Sequence, residues 1–270
     1  MIFTLLACTG SSTPEPTQLP APTQLPEHAP APMPEAAFEY RPLGVPLVPS
    51  ARELHDMLAE QPGLAEAVAA RATEAVYKPD VVVVKIAATR TGAELGAFFV
   101  EAGVADPKDL ALRLTRITSG FEAIATEGPA VQASQDLGAF LLTDPDRDTL
   151  LAELDRYRPL ALDLLADQGG EEIIPLVMAG AWLQAYALIA GGLLDVDAPE
   201  RGHHLFYQPA VGSYFTTYTA TVGGEVVPSG VLDPLDQALA ELELRTQRDP
   251  MTTEDVAEVL RASESLLGML

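Results

Sequence analysis

From Ile173 to Leu194 the chain runs for 22 residues without a charged side chain. A helix that is apolar all round must be covered either by lipid or by other helices, so this stretch crosses a bilayer or forms the centre of a bundle. Its content favours the bundle. Pro175, Gly180, Gln184 and the Gly191-Gly192 pair interrupt it. Acids (Glu171, Glu172, Asp195, Asp197) flank both ends, and no Lys or Arg sets a membrane orientation. The expectation is a core helix around which the rest of the chain packs.

The sequence on either side is punctuated as helices. Ser50-Ala-Arg-Glu53 is a capping-box pattern for a segment ending near Glu60. Pro62 suits the first turn of a second helix, with Leu64, Val68, Ala72 and Val76 at near-helical spacing. Asp106-Pro107 pairs an N-cap with proline at the first position, ahead of an apolar stripe through Leu110, Leu114, Ile117, Phe121 and Ile124. Asp144-Pro145 repeats the device before Leu150, Leu154, Tyr157 and Ala161, and Pro159 should kink or split that helix. Asp233 and Thr252-Thr-Glu-Asp255 open the last two. Val81 to Val84 has strand-like β-branching but merges into helical spacing up to Gly103, and Gly92-x-x-x-Gly96 within it suits close helix packing. Tyr214 to Val227 has hairpin character around Gly223-Gly224. The expected fold is all-α, an irregular helical bundle around an apolar central helix (about 173–194), with one small β-hairpin near 214–227 as the exception. No helical repeat of fixed period is evident.

The N-terminal part is different. Of 23 prolines, eleven fall in the first 50 residues, including the near-repeat Pro16-Thr-Gln-Leu-Pro20-Ala-Pro22-Thr-Gln-Leu-Pro26. Proline removes amide donors and fixes φ, so this stretch should be extended polyproline II rather than helix or sheet. The expected organisation is a leader ending at residue 8, a tether over 9–49 and one helical domain over 50–270.

Ahead of the tether stands Leu5-Leu6-Ala7-Cys8, which resembles the lipobox of bacterial lipoproteins. The resemblance implies cleavage before Cys8, acyl chains (palmitate among them) on that cysteine, and residence in the cell envelope with the membrane reached through the lipid. Thr9, rather than Asp, leans toward the outer membrane by the family's sorting habit. Only seven residues precede Cys8, fewer than the family's basic region plus apolar core, so the expected start lies upstream of Met1. Gly180-Ala-Trp182-Leu-Gln-Ala-Tyr186 is faintly similar to a Gly-Gly-Trp core helix of all-helical bacterial lipoproteins, with Ala181 in place of the second glycine. That family brings no activity with it.

Charge excludes one class of partner. The formal net charge is −23, and all but three of the acids lie beyond residue 36. Nucleic-acid binding rests on Lys and Arg against phosphates, which such a domain does not offer. The single cysteine cannot form an internal disulfide or a Cys-rich metal site. No cofactor is expected.

Four groups of residues could carry chemistry. Asp144, Asp146, Asp148 and Asp155 fall at positions 1, 3, 5 and 12 of a calcium-binding loop, but Thr149 replaces the turn glycine, and helix capping alone explains acids there. Asp195, Asp197 and Glu200 form a second acidic loop. His203-His204 is the one histidine pair; adjacent imidazoles diverge on a helix or a strand, which disfavours shared chelation. His203, His204, Phe206, Tyr207, Tyr214, Phe215 and Tyr218 form the densest aromatic patch and the leading candidate binding surface, against the plainer reading that the rings pack inward. Ser213 lacks a nucleophile elbow. The leading functional expectation is a lipid-anchored, non-catalytic envelope domain that binds a ligand or an envelope partner. The alternatives are an envelope hydrolase or metal-dependent enzyme using His203 or His204 with nearby acids, and a structural spacer or assembly subunit.

Overall fold

The computed structural model describes residues 49–79, 83–125, 128–167, 173–226 and 229–269, with side chains at all of these except 219 and 221–232. Cys8 and the tether up to residue 48 lie outside the described residues. The elements are α1 (Ala51–Ala59), α2 (Leu64–Glu74), α3 (Val84–Glu101), α4 (Pro107–Ala125), α5 (Pro129–Leu141), α6 (Arg147–Leu165), α7 (Ile174–Asp195), a 3₁₀ turn (Pro199–Arg201), α8 (Gly202–Phe206), α9 (Pro209–Val226), α10 (Ser229–Thr246) and α11 (Thr253–Met269). No strand occurs among the described residues, and the chain is all-α.

The uncharged stretch is α7, and it is the axis of the fold. It packs against α3, α11 and α2. On one side α3 leads outward through α4, α5 and α6, and α6 returns to meet α1; on the other side α11 is followed by α10 and then α9. Leu183, Leu188, Ile189, Ala190 and Leu193 of α7 are buried, as are Gln184 and Tyr186. A helix of this composition needs cover on nearly every face; these three neighbours supply much of it, and Phe206 of α8 and Phe215 of α9 cover Tyr186 and Trp182.

The closest approach is between α3 and α7. A Cβ at Gly92 would overlap the backbone carbonyl of Val177, one at Gly96 that of Ala181, and one at Gly180 that of Thr89. The glycines from both helices thus bring the two backbones into direct contact.

Helix starts follow the sequence closely at both ends of the domain. Ser50 and Glu53 form the reciprocal capping box of α1. At α11, the Asp255 amide donates to Thr252 Oγ1 (3.2 Å), while Thr252 donates to Asp255 Oδ2 from its amide (3.0 Å) and hydroxyl (2.7 Å). Asp255 is buried and also pairs with Arg245 (3.0 Å) and Arg248 (2.7 Å). Burial pushes its carboxyl up, but the bonds from Thr252 and the two arginines outweigh this and hold it below its ordinary value of 3.8. A carboxyl depressed in the folded state contributes stability that is complete above its unfolded value and is lost as pH falls through the depressed one. The stability difference between the natural protein and Asp255→Asn should therefore be largest at neutral pH and narrow toward pH 3, as measured by urea unfolding.

Several local expectations are corrected. Residues 214–226 are not a hairpin: they belong to α9, a single helix, and Val227 lies outside the described residues. Val211 and Phe215, four residues apart, are buried at 4% and 5%, and Phe215 stacks on Trp182 at 5.3 Å. Tertiary burial at helical spacing overrides the strand preference of the threonines and valines there. The second helix begins at Leu64 after Gly63 in the left-handed region (φ 76°), not at Pro62, and stops at Glu74, leaving Val76 54% exposed. α6 starts two residues later than expected. Asp144 takes a left-handed φ of 58°, and Asp146 is the cap, accepting from the Thr149 amide at 3.0 Å. α6 runs on through Pro159 without splitting. α10 begins at Ser229, ahead of Asp233, and contains Pro234.

Candidate functional site

The residues singled out in the sequence do not form one site. Phe206 and Phe215 are core: Phe206 is fully buried, 5.0 Å from the Tyr186 ring, and its carbonyl accepts from the Tyr186 hydroxyl. Tyr207 is 48% exposed and stacks on His203 at 4.9 Å, while Tyr214 and Tyr218 stack on each other at 6.5 Å along α9. His203 Nδ1 lies 3.1 Å from the Thr246 carbonyl. His204 faces outward with Nε2 3.9 Å from Glu60. The two imidazoles thus engage different partners. A small hollow, about 20 Å³ and lined by Trp182, Tyr186, Phe206 and Tyr207 among others, adjoins the patch.

The acidic loops are likewise held separately. Asp146 caps α6, Asp148 pairs with Arg52 (3.0 Å), and Asp155 accepts from the Ala51 amide (2.6 Å). Asp195 binds Arg71 through both oxygens at 2.6 and 2.8 Å. Among the described residues no group of three or more His, Cys, Asp or Glu is arranged to hold a metal ion.

A larger concavity lies elsewhere, where α2 ends against α7 and α11. Its volume is about 340 Å³, and its lining comprises Arg71, Glu74, Ala75 and Tyr77, then Gln184, Ala187 and Leu188 of α7, then Leu260, Glu264, Leu267 and Gly268 of α11. Most ligand pockets fall in or above this size range, with an apolar lining and few fixed polar groups.

A buried ionic network lies behind one wall and reaches the lining through the Ala75 carbonyl and the Tyr77 amide. Arg113 of α4 is 2% exposed and Glu94 of α3 is fully buried. Arg113 grips Glu101 through Nε (2.6 Å) and a terminal nitrogen (3.0 Å), and Glu94 through the other (2.7 Å). The same guanidinium donates to the carbonyls of Ala72 and Ala75 (3.1 Å to the latter). Those carbonyls close α2, where helical acceptors otherwise lack partners. Arg116 adds a second cation, 3.0 Å from Glu94. The network therefore fixes the C-terminal end of α2 to α3 and α4.

That fixing places Tyr77. Its amide donates to Glu94 Oε1 (2.6 Å), and its hydroxyl donates to Gln184 Oε1 across the groove floor. Burial, with the charges of Glu94 and Glu264, pushes the phenol above its ordinary value, so it stays protonated and donating at neutral pH. Gln184 is 2% exposed, and among the described residues nothing accepts from its Nε2. At the rim, Glu74 and Glu264 are exposed carboxylates. Arg71 is matched by Asp195, whose hydrogen bonds raise the guanidinium and lower the carboxyl. The rim is therefore net acidic.

None of these groove residues was singled out as a site in the sequence, where Gln184 figured as an interruption of an apolar run and as part of the 180–186 stretch. The available signal was a polar side chain on a helix that must be covered on every face. Set beside family models, curated proteins and solved structures, the chain matches none of them.

Proposed function

We propose that this chain is a non-catalytic binding protein of the bacterial cell envelope. An acylated Cys8 anchors it, the 9–49 stretch acts as a tether, and the helical domain captures a ligand in the α2–α7–α11 groove. The groove carries the reading of binding: a 340 Å³ hollow lined by the Gln184 amide, whose oxygen is engaged by the Tyr77 hydroxyl and whose Nε2 has no acceptor among the described residues. A ligand acceptor would give that nitrogen a hydrogen bond inside the groove. The lipobox-like Leu5-Leu6-Ala7-Cys8 and the prolines behind it support the anchor. The acidic domain would be repelled by anionic lipid, and the 28 proline-rich residues 9–36, if extended as polyproline II, would reach on the order of 80 Å, enough to hold it clear.

Mass spectrometry of the protein from its native membranes tests the anchor. The expected mature chain begins at Cys8 and carries acyl chains on it; an unmodified Cys8 within a longer chain overturns this part of the reading.

A further inference from the structure

We infer that the groove takes the amino-terminal end of a peptide, or the amide of an amino acid with the same groups: a protonated α-amine, a neutral carbonyl beside it, and an aliphatic side chain. This rests on the proposed binding role of the groove and specifies its ligand. Three features of the lining each match one of those groups. Glu74 and Glu264 stand at the rim and share the field of a single lining cation, Arg71, whose hydrogen bonds go to Asp195 at 2.6 and 2.8 Å. A primary ammonium suits them. Gln184 Nε2 is a neutral donor in the groove lining with no acceptor among the described residues, its Oε1 being occupied by the Tyr77 hydroxyl. A carbonyl oxygen suits it. Leu188, Leu260 and Leu267 supply the apolar surface for a branched side chain.

The volume sets the size. At about 30 Å³ per water-sized group, 340 Å³ holds on the order of ten non-hydrogen atoms, one residue rather than several. Electrostatics sets the choice between an amide and a free acid. Among the described residues the lining carries two carboxylates and one guanidinium, and that guanidinium is already bidentate to Asp195. A ligand carboxylate would meet repulsion with one neutral donor to offset it, so the free amino acid should bind worse than its amide.

The test is calorimetric titration of the full chain at physiological salt with four probes: L-leucinamide, L-leucine, N-acetyl-L-leucinamide and isocaproamide. Leucinamide should bind saturably, with leucine and both uncharged amides at least tenfold weaker. Glu74→Gln/Glu264→Gln should weaken leucinamide at least tenfold and leave the uncharged amides unaffected, and both sites are exposed, so the fold should tolerate the change. Leucinamide binding that the double variant retains would mark general attraction to an acidic surface and overturn the inference. If an uncharged amide binds as well as leucinamide, and Gln184→Leu abolishes that binding, the amine assignment fails while the groove stands as a binding site. If no probe binds, the inference fails; if mapping by amide exchange in membrane extract then finds α2, α7 and α11 unprotected as well, the binding role of the groove fails with it.

Discussion

Arg113→Met is expected to lower the free energy of unfolding by about 3–5 kcal/mol, the usual consequence of removing one partner from a buried ion pair. For a domain of this size that corresponds to a fall in Tm of roughly 6–20 °C. The loss is large because of what it leaves behind. Glu94 and Glu101 are both buried, at 0% and 6% exposure, and without Arg113 they share a small volume with Arg116 alone. The Ala75 carbonyl loses the Arg113 donor in the same step, and the Ala72 carbonyl keeps only the Ala75 amide. The alternative explanation for any loss is simple truncation of a packed side chain, and methionine keeps most of the stem. A triple variant separates the two. Arg113→Met with Glu94→Gln and Glu101→Gln removes the stranded charges and should recover at least half of the lost stability by urea unfolding. If the single variant costs under about 1 kcal/mol, the network is not under the burial described, and the argument that it holds Tyr77 over the groove falls with it.

The same network shows where sequence reading stops. Arg113 lies three residues after Leu110 and one before Leu114, within the stripe that faces the core, and Glu94 sits between Gly92 and Gly96 in a run of small and aromatic residues. Single charges on an apolar face are visible in a sequence, but which of them meet depends on how α3 and α4 cross, and no local pattern encodes that. What was legible was local or strongly periodic: the capping boxes at Ser50 and Thr252, the core character of 173–194 and the all-α class. What was misread was also local. The threonines, valines and paired glycines of 214–226 favour a strand in isolation, whereas the i, i+4 burial of Val211 and Phe215 against Trp182 makes them helix. The aromatic patch divided in a similar way: Phe206 and Phe215 turned inward, and Tyr207 kept a largely exposed ring. Residue type indicated a recognition surface, and side-chain direction, set by the helix, decided which rings were available for one.

A pair of identical substitutions with opposite signs tests the axis of the fold. In an exposed helix interior Gly→Ala stabilises by about 1 kcal/mol, since alanine loses less backbone freedom on folding. Gly138→Ala on α5 should behave in this way, because the added methyl meets only Leu114 Cδ2 at 3.7 Å, an ordinary contact. The expected gain is about 0.5–1 kcal/mol. Gly180→Ala on α7 should do the reverse. There the methyl overlaps the Thr89 carbonyl oxygen and comes within 3.0 Å of the Ala93 amide nitrogen. These are backbone atoms of α3, held by its own hydrogen-bond ladder, so no rotamer change can relieve them. The two helices must separate, and the contact that organises every other layer opens with them. Overpacking of this kind costs about 1–3 kcal/mol and more where the backbone must move, so the expected loss is about 3 kcal/mol against the propensity gain. Equal effects at Gly138 and Gly180 in thermal unfolding would mean that α3 and α7 do not touch backbone to backbone, and that α7 is covered by side chains alone.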